Sequence, residues 1–226
     1  MLNRFQLQAA CNQLWGVVPK VDVKSVPCCE VSDQKRLCSN PLVSVRIVTF
    51  NHEASIGECL ESVVSQKTDF EFELVIGEDA SQDKTREICF EYQKRFPDKV
   101  RVLWSDENLY KIGGNKIRTE ARCRGEYVAL LEGDDYWTDP LKLQKQVDLM
   151  RRTGAIACVA NYQTKSADGT FSLTNYRALT GFLTHQDLAH VYPHTATYVI
   201  RRDVYFGKEK NFPDVIDETL SLAQLK

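Results

Sequence analysis

The stretch Tyr127-Val128-Ala129-Leu130-Leu131-Glu132-Gly133-Asp134-Asp135 decides how the chain folds. Its first five residues are apolar, and a short apolar run of this kind predicts a strand that is buried on both faces of a sheet. Three carboxylates, Glu132, Asp134 and Asp135, follow directly. The predicted strand therefore ends at an edge of the sheet where negative charge collects.

Strand and helix signals alternate on the N-terminal side of this stretch. β-branched residues predict a strand over 43–50, and further strands are predicted over 71–76 and 100–104. Apolar residues at helical spacing predict helices over 54–66, 84–96 and 116–124. Because the connections are short, the pattern predicts an α/β fold with a mostly parallel, Rossmann-like sheet, right-handed crossovers and helices on both faces.

The pattern changes at the two ends of the chain. After the acidic stretch we expect a helix over 140–152, strands over 156–162 and 195–200, a hairpin turn at 167–170 and a helix over 217–225. Residues 1–40 contain a short predicted helix over 7–18, followed by a polar stretch with two prolines, Pro19 and Pro27. We interpret 1–40 as an N-terminal arm or linker, which docks on the main domain or on another partner, and 41–226 as the domain.

Composition excludes several function classes. The chain has 226 residues, enough for one α/β domain with a sizeable core. Its net charge of -2 argues against a broad basic surface for nucleic acid. No apolar run is long enough for a transmembrane segment, and the N-terminus lacks a secretory signal. These features favour a cytoplasmic protein, and peripheral association with a membrane stays open.

The eight cysteines predict reduced thiols rather than a metal centre. Several of them lie on predicted helices or strands, where cysteine serves as a small buried hydrophobe. A zinc site from Cys28, Cys29 and Cys38 is the alternative, but their spacing fits no common ligand pattern, and the chain has no Cys-x-x-Cys pair.

Polar residues follow three of the predicted strands. The segments are 49–53, 78–83 and 132–135, and two of them are strongly acidic. In open parallel sheets, ligands bind outside the carboxyl ends of the strands. The three segments are therefore predicted to converge on one ligand site.

The acidic triplet predicts a divalent metal site. Carboxylates this close repel one another, and a bound cation removes that cost. Hard carboxylate oxygens suit Mg²⁺ or Mn²⁺, with diphosphate oxygens filling the remaining positions. The alternative is a solvated acidic turn before the next helix, with Asp139 as the N-cap of that helix.

Two further segments carry weaker signals. Within Glu78-Asp79-Ala80-Ser81-Gln82-Asp83-Lys84-Thr85, the carboxylate of Asp79 suits a base N–H or a ribose hydroxyl, while Ser81 or Asp83 suits a helix cap. The turn Gly113-Gly114-Asn115-Lys116-Ile117-Arg118 places basic residues at a helix start, where phosphate can bind. A simple turn and cap explains this second segment equally well.

Three segments together resemble family 2 glycosyltransferases, which have the GT-A fold. The segment 43–52 resembles the first strand of that family, 78–85 resembles its Asp-Asp-Gly-Ser-x-Asp-x-Thr segment, and 132–137 resembles its Asp-x-Asp-Asp motif. Their order and spacing match as a set over about residues 41–205. Two departures are Glu132 in place of Asp and Lys84 in place of the usual Gly.

The resemblance implies a role for each matching residue. Thr49, Asn51 and Glu53 would line the nucleotide pocket, and Asp79 would contact uracil or ribose. Glu132 would contact ribose or the metal shell, Asp134 would be the direct metal ligand and Asp135 would lie near the donor sugar. Arg118 is placed to reach the diphosphate. These roles imply a nucleotide-sugar donor, most often a UDP-sugar, with Mn²⁺ or Mg²⁺ as cofactor.

The resemblance also implies an inverting transfer to a glycan or lipid-linked acceptor. A carboxylate would remove the proton of the acceptor hydroxyl. Asp217 is the candidate base and Glu218 the second, with capping of the last helix as the alternative for Asp217. His194 either faces the acceptor or is a buried structural histidine. The chain ends close to Asp217, so we expect a short or truncated acceptor region.

Two other interpretations stay open. A sugar nucleotidyltransferase also combines an α/β sheet with acidic metal ligands, but it usually carries a glycine-rich basic loop after the first strand. Here that position is Asn51-His52-Glu53-Ala54-Ser55, which argues against it. The second is a non-catalytic or degenerate domain that binds a nucleotide sugar.

Overall fold

A computed structural model gives the fold and describes residues 22–166, 168–174, 194–205 and 222–225. The strands are β1 (Cys29–Val31), β2 (Val43–Thr49), β3 (Phe72–Glu78), β4 (Val100–Trp104), β5 (Tyr127–Glu132), β6 (Ala157–Ala160), β7 (Tyr162–Lys165), β8 (Phe171–Thr174), β9 (Val199–Arg201) and β10 (Leu222–Leu225). The α-helices are α1 (Ile56–Val64), α2 (Thr85–Arg95), α3 (Gly114–Glu120), α4 (Lys142–Thr153) and α5 (Arg202–Tyr205). Short 3-10 turns lie at Val23–Ser25, Tyr110–Ile112 and Thr195–Thr197.

Eight of the described strands form one mixed sheet, in the order β1-β4-β3-β2-β5-β9-β6-β10. The neighbours β4, β3, β2 and β5 are parallel, while β1 and β9 run antiparallel to their neighbours. The prediction of an α/β fold with a mostly parallel sheet is confirmed. Central strand β2 pairs with both β3 and β5, so that Thr49 lies opposite Glu78 and Val48 opposite Glu132.

Helices cover both faces of the sheet, as predicted. Apolar side chains of α1, α2 and α4 pack on one face against residues such as Val45 and Ile47 of β2. On the other face α3 contacts β2 and β3, and α5 contacts β5 and β9. Burial of each Val, Leu or Ile side chain contributes about 1.5–3 kcal/mol relative to exposure. Among the described helices, none is long and apolar enough to cross a membrane.

Within residues 22–40, assigned from the sequence to an arm or linker, the strand β1 joins the sheet. β1 pairs with β4 and gives that strand a hydrogen-bonded neighbour at the sheet edge. Glu30 of β1 contacts Arg101 of β4 at 3.0 Å, and the Cys38 N–H donates to the Asp98 carbonyl at 3.0 Å. The predicted boundary near residue 41 therefore lies inside the folded unit. Residues 1–21, with the predicted helix over 7–18, lie outside the described residues.

The C-terminal predictions need two corrections. The strand predicted over 195–200 begins as the 3-10 turn Thr195–Thr197 and becomes strand only at Val199–Arg201. The helix predicted over 217–225 is wrong for 222–225, which form β10 and pair in parallel with β6. Pairing with β6 satisfies main-chain groups of both strands, and tertiary contact of this kind overrides local propensity. The predicted turn at 167–170 does join β7 and β8.

Candidate active site

The carboxyl ends of β2, β3 and β5 meet at one edge of the sheet. The Asp79 N–H donates to the Thr49 carbonyl at 3.0 Å, and the Gly133 N–H donates to the Val48 carbonyl at 2.9 Å. The loops that follow the three strands are therefore in direct contact. This is the convergence that the strand-end rule predicts.

The acidic triplet lies at this edge and is flanked by two histidines. The side chain of Asp134 is 59% exposed, and its Oδ2 lies 4.0 Å from His52 Nε2. Asp135 Oδ2 lies 3.6 Å from His194 Nδ1, and the His194 ring packs on Tyr162 with 5.0 Å between centroids. Among the described residues, no lysine or arginine forms an ion pair with Glu132, Asp134 or Asp135.

The electrostatics of the triplet favour binding of a cation. Burial raises the pKa of Asp135, and the neighbouring charges of Asp134 and Glu132 raise it further, while His194 opposes them. These carboxylates therefore repel one another without a full counter-charge from the protein. Their hard oxygens suit Mg²⁺ or Mn²⁺. No cluster of three protein ligands forms within the described residues, so a metal here would need oxygens from a ligand.

Gly133 lets the acidic loop pack closely on the end of β2. A Cβ at this position would lie 2.4 Å from Thr49 Oγ1 and 2.7 Å from His52 Nδ1, so only glycine fits without a shift. Ser55 Oγ donates to the Gly133 carbonyl at 3.0 Å. Thr49 is 2% exposed and its Oγ1 lies 3.2 Å from His52 Nδ1. Thr49, predicted to line the nucleotide pocket, therefore lies beneath the edge and fixes the histidine.

Asn51 and Glu53, the other two residues predicted to line that pocket, connect two loops. The Gln82 N–H donates to Asn51 Oδ1 at 2.8 Å, and the Lys84 N–H donates to Glu53 Oε2 at 3.0 Å. Both side chains thus accept hydrogen bonds from main-chain N–H groups that directly precede α2. N–H groups at the start of a helix have no partner within the helix itself. Asn51 adopts a positive φ of 53°, a conformation that Asn tolerates better than most residues.

Asp79 is almost fully buried, with 3% exposure. Its Oδ1 accepts a hydrogen bond from the Leu109 N–H at 2.8 Å, and its carbonyl accepts one from Asn108 Nδ2 at 2.9 Å. Burial raises the pKa of Asp79, against the Leu109 N–H and Arg118, which lower it. Asp79 thus holds the loop before α3, and its contact with uracil or ribose stays a prediction.

Arg118 lies in the interior, where its guanidinium is fully used by the protein. It is 1% exposed, and its five N–H groups have partners in the side chains of Asn115 and Ser105 and the carbonyls of Pro27 and Glu78. A diphosphate contact would require these hydrogen bonds to break. The residue predicted to reach the diphosphate thus supports the end of β3, because the chain packs α3 over it.

Lys116 is a basic residue of the predicted phosphate-binding turn, but the diphosphate contact was assigned individually to Arg118. Glu120 lies 3.9 Å away, one helical turn along α3, and the charge of Glu132 also acts on Lys116. Burial lowers the pKa of Lys116, against these two carboxylates. The glycine turn predicted to open this helix is confirmed, with Gly113 at a positive φ of 64°. Counting residues along the helix would have separated Lys116 from Arg118, which lies two positions further on.

His52 is the other residue without an assigned role. It was included in three of the quoted segments without a role of its own, although its position directly after a central strand is a usable signal. Asp217 and Glu218, the candidate bases, lie outside the described residues. Cys28, Cys29 and Cys38 are free thiols, and no metal cluster forms among the described residues.

Comparison with known proteins identifies the class that this fold and acidic edge define. The sequence profile of glycosyl transferase family 2 matches residues 44–207, most of the chain. The chain therefore belongs to glycosyl transferase family 2. This confirms the family that the three sequence segments resembled.

Curated relatives agree with this assignment. An uncharacterized protein of Mycobacterium tuberculosis is 42% identical over 110 residues, covering 49% of this chain and 32% of the relative. An uncharacterized glycosyltransferase of Nostoc is 28% identical over 180 residues, covering 76% of this chain and 53% of the relative. The chain thus spans between a third and about half of the length of these relatives.

Solved structures confirm the GT-A fold. TarS of Staphylococcus aureus, in a crystal structure of residues 1–349 in complex with UDP-GlcNAc, superposes with a TM-score of 0.64 at 22% identity. The match covers 81% of this chain and 55% of that one. Glucosyl-3-phosphoglycerate synthase of Mycobacterium tuberculosis, solved with Mn²⁺ and UDP, gives a TM-score of 0.53 at 16% identity over 99% of this chain and 73% of that one.

Proposed function

We propose that this protein transfers a sugar from a UDP-sugar to an acceptor hydroxyl with inversion, assisted by a divalent metal. The observation that carries the proposal is the acidic triplet Glu132, Asp134 and Asp135 at the carboxyl edge of the sheet. Among the described residues no lysine or arginine pairs with it, although buried acids elsewhere in the sheet do have such partners. An acidic edge without lysine or arginine ion pairs among the described residues is suited to a cationic ligand.

Asp134 is the direct metal ligand in this proposal because its side chain is more exposed than that of Asp135, 59% against 29%. Glu132 contributes to the metal shell or the ribose, and Asp135 orients the donor sugar. A bound Mn²⁺ or Mg²⁺ would stabilise the negative charge that develops on the leaving nucleoside diphosphate. Lys116, on which the charge of Glu132 acts, would assist at the diphosphate.

Uridine is the favoured base for two reasons. The structurally similar TarS and glucosyl-3-phosphoglycerate synthase are described with UDP-GlcNAc and with UDP and Mn²⁺. Asp79, at the end of β3, is the carboxylate placed for a base N–H or a ribose hydroxyl. Asp217, or failing it Glu218, would remove the proton from the acceptor hydroxyl as it attacks the anomeric carbon and the nucleoside diphosphate leaves. A glycan or lipid-linked glycan is the acceptor class.

A thermal-shift and donor-hydrolysis series tests the proposal. UDP with Mn²⁺ should raise the melting temperature of the wild-type chain, and UDP-sugar hydrolysis should depend on the metal. Asp134→Asn should abolish the ligand-induced rise and reduce hydrolysis at least about 100-fold, because the principal ligand charge is lost. Titration calorimetry of UDP in the presence of Mn²⁺ gives the affinity directly.

Asp69→Asn is the matched control, because Asp69 is exposed and precedes β3 at the opposite edge of the sheet. It should bind UDP as the wild type does. The proposal fails if no nucleoside diphosphate shifts the melting temperature with any divalent metal. It also fails if Asp134→Asn and Asp69→Asn behave alike.

A further inference from the structure

Arg46 is a charged residue in the middle of the central strand, and the proposed chemistry gives it no role. It lies on β2 opposite Leu130 of β5, and side chains of partnered residues share a face of the sheet. Glu132 follows Leu130 by two positions, so it lies on the same face as Arg46. The two residues therefore sit on one face of adjacent strands, with Glu132 nearer the acidic edge.

The Arg46 guanidinium is buried and incompletely paired. The residue is 3% exposed, and its Nε–H has no hydrogen-bond partner within the described ranges. Of the buried side-chain atoms in this condition, which also include Trp104 Nε1 and Asn161 Oδ1, it is the one on a charged group. Buried charged donors are normally paired, so an unpaired one points to a role beyond stability.

The titratable groups around Arg46 include residues of three elements, α3, α5 and β5, and of these the two glutamates carry charge. Burial lowers the pKa of Arg46, but Tyr205 of α5, Glu120 of α3 and Glu132 of β5 raise it, and the net direction is upward. Lys116 of α3 is also close enough to interact electrostatically with Arg46, because the charge of Arg46 lowers the pKa of Lys116. Two basic and two acidic side chains therefore balance one another beneath the acidic edge.

Glu120 already has close partners in this group. Its Oε1 accepts a hydrogen bond from the Tyr205 hydroxyl at 2.5 Å and lies 3.9 Å from Lys116 Nζ. By contrast, the Glu132 carboxylate makes no hydrogen bond or ion pair that the described part of the chain records, and only its carbonyl is engaged. Both carboxylates raise the pKa of Arg46, and Glu132 is the one without a recorded partner among the described residues.

We propose that Arg46 is a positioning residue for the nucleotide site, which balances and orients Glu132 from the interior of the sheet. Glu132 then meets ribose or the metal shell with its carboxylate already fixed, which reduces the reorganisation that binding requires. This inference rests on the proposed function of the acidic triplet. It predicts that Arg46 acts on nucleotide affinity through Glu132 and not on its own.

The test compares UDP affinity, measured by titration calorimetry with Mn²⁺, across five chains: wild type, Arg46→Met, Arg46→Lys, Glu132→Gln and the double variant Arg46→Met/Glu132→Gln. Arg46→Met should weaken UDP binding about 10-fold, and Arg46→Lys should recover part of the loss. Because the effect passes through Glu132, the double variant should bind no more weakly than Glu132→Gln alone.

Arg101→Met is the structural control. Arg101 is a buried arginine on β4, on the same face of the sheet, and each of its three guanidinium nitrogens donates a hydrogen bond, to Glu30, Glu73 or the Arg122 carbonyl. Its loss should lower the melting temperature without changing UDP affinity. If Arg46→Met does not fold, a sixth chain, Arg46→Lys/Glu132→Gln, replaces its double variant: it should bind UDP no more weakly than Glu132→Gln alone.

Two outcomes separate this inference from the proposed function. If the wild type binds no nucleotide, the proposed function fails and the inference falls with it. If the wild type binds UDP but the Arg46 variants bind equally well, or their effects simply add to that of Glu132→Gln, the positioning role is overturned while the proposed function stands.

Discussion

The ends of β3 and β5 look alike in sequence and differ in how their acids are paired. Both are apolar strands that end in a cluster of carboxylates. At the end of β3, Glu78 is fully buried, with Arg86 Nε 2.6 Å from Oε2 and the Ser81 N–H 2.6 Å from Oε1. At the end of β5, Asp134 is largely exposed, and among the described residues its one recorded ion-pair partner is His52, at 4.0 Å.

This difference in pairing separates carboxylates that stabilise the fold from carboxylates that are suited to bind a ligand. A carboxylate that receives an arginine and a main-chain N–H holds two loops together, and its removal is paid for in stability. A carboxylate that the protein leaves without a cation repels its neighbours and gains from an external ligand. The second kind of acid marks the candidate site, although residue type and spacing do not distinguish the two.

The largest expected effect on stability comes from Glu78→Gln. Loss of its charge leaves the Arg86 guanidinium without its closest carboxylate, so unfolding free energy should fall by about 2 to 3 kcal/mol in urea titrations. Asp134→Asn should leave stability unchanged or slightly higher, because it relieves repulsion. Equal losses for the two variants would contradict the distinction between the two edges.

A smaller effect is expected for Gly133→Ala, which tests the close packing of the acidic loop. The added Cβ would meet Thr49 Oγ1 at 2.4 Å, so the loop must shift, at a cost of about 2 kcal/mol, and UDP affinity should fall as well. Gly57→Ala in α1 is the control, because nothing lies within 4 Å of its Cβ. That change should stabilise the chain by about 0.5 kcal/mol. A Gly133→Ala chain with wild-type stability and affinity would show that the packing is looser than described.

The smallest effect concerns Lys142, a buried base behind the β5 edge that has no carboxylate in close contact. Burial lowers the pKa of Lys142 to about 7, against weaker opposing effects of Cys158 and Asp139. The lysine pKa is lower in the folded state than in the unfolded state, so the unfolded chain binds more protons between pH 7 and the usual lysine pKa. Stability contributed at this site therefore rises with pH in that window.

Lys142→Met should remove the part of the pH dependence of the unfolding free energy that comes from Lys142. Between pH 7 and pH 8 the unfolding free energy of the wild type should rise by about 1 kcal/mol relative to that of the variant. Denaturant titrations at the two pH values measure it. Arg86 differs from Lys142 in that a carboxylate of the protein, that of Glu78, lies in contact with it. A pH-independent difference would contradict the assignment of Lys142 as the titrating group.

Most of the fold could be predicted because local pattern and global fold agree there. The strands at 43–49, 72–78, 100–104 and 127–132 carry apolar or β-branched runs, and helices α1, α2 and α4 carry apolar faces. The prediction was less accurate where pairing partners are distant in sequence. β1 joins β4 about 70 residues later, with Glu30 opposite Leu103, and β10 joins β6.

The α/β class, the family and the acidic strand end that carries the proposed chemistry could all be predicted from the amino-acid sequence. These follow from residue type and spacing along the chain, which are local properties. The pairing of the charged residues became visible in the folded chain: Arg118 is fully paired in the interior, while the charge of Glu132 acts on Lys116 and Arg46. The physical reason is that pairing and desolvation depend on which distant groups meet across the sheet, and no short segment specifies that.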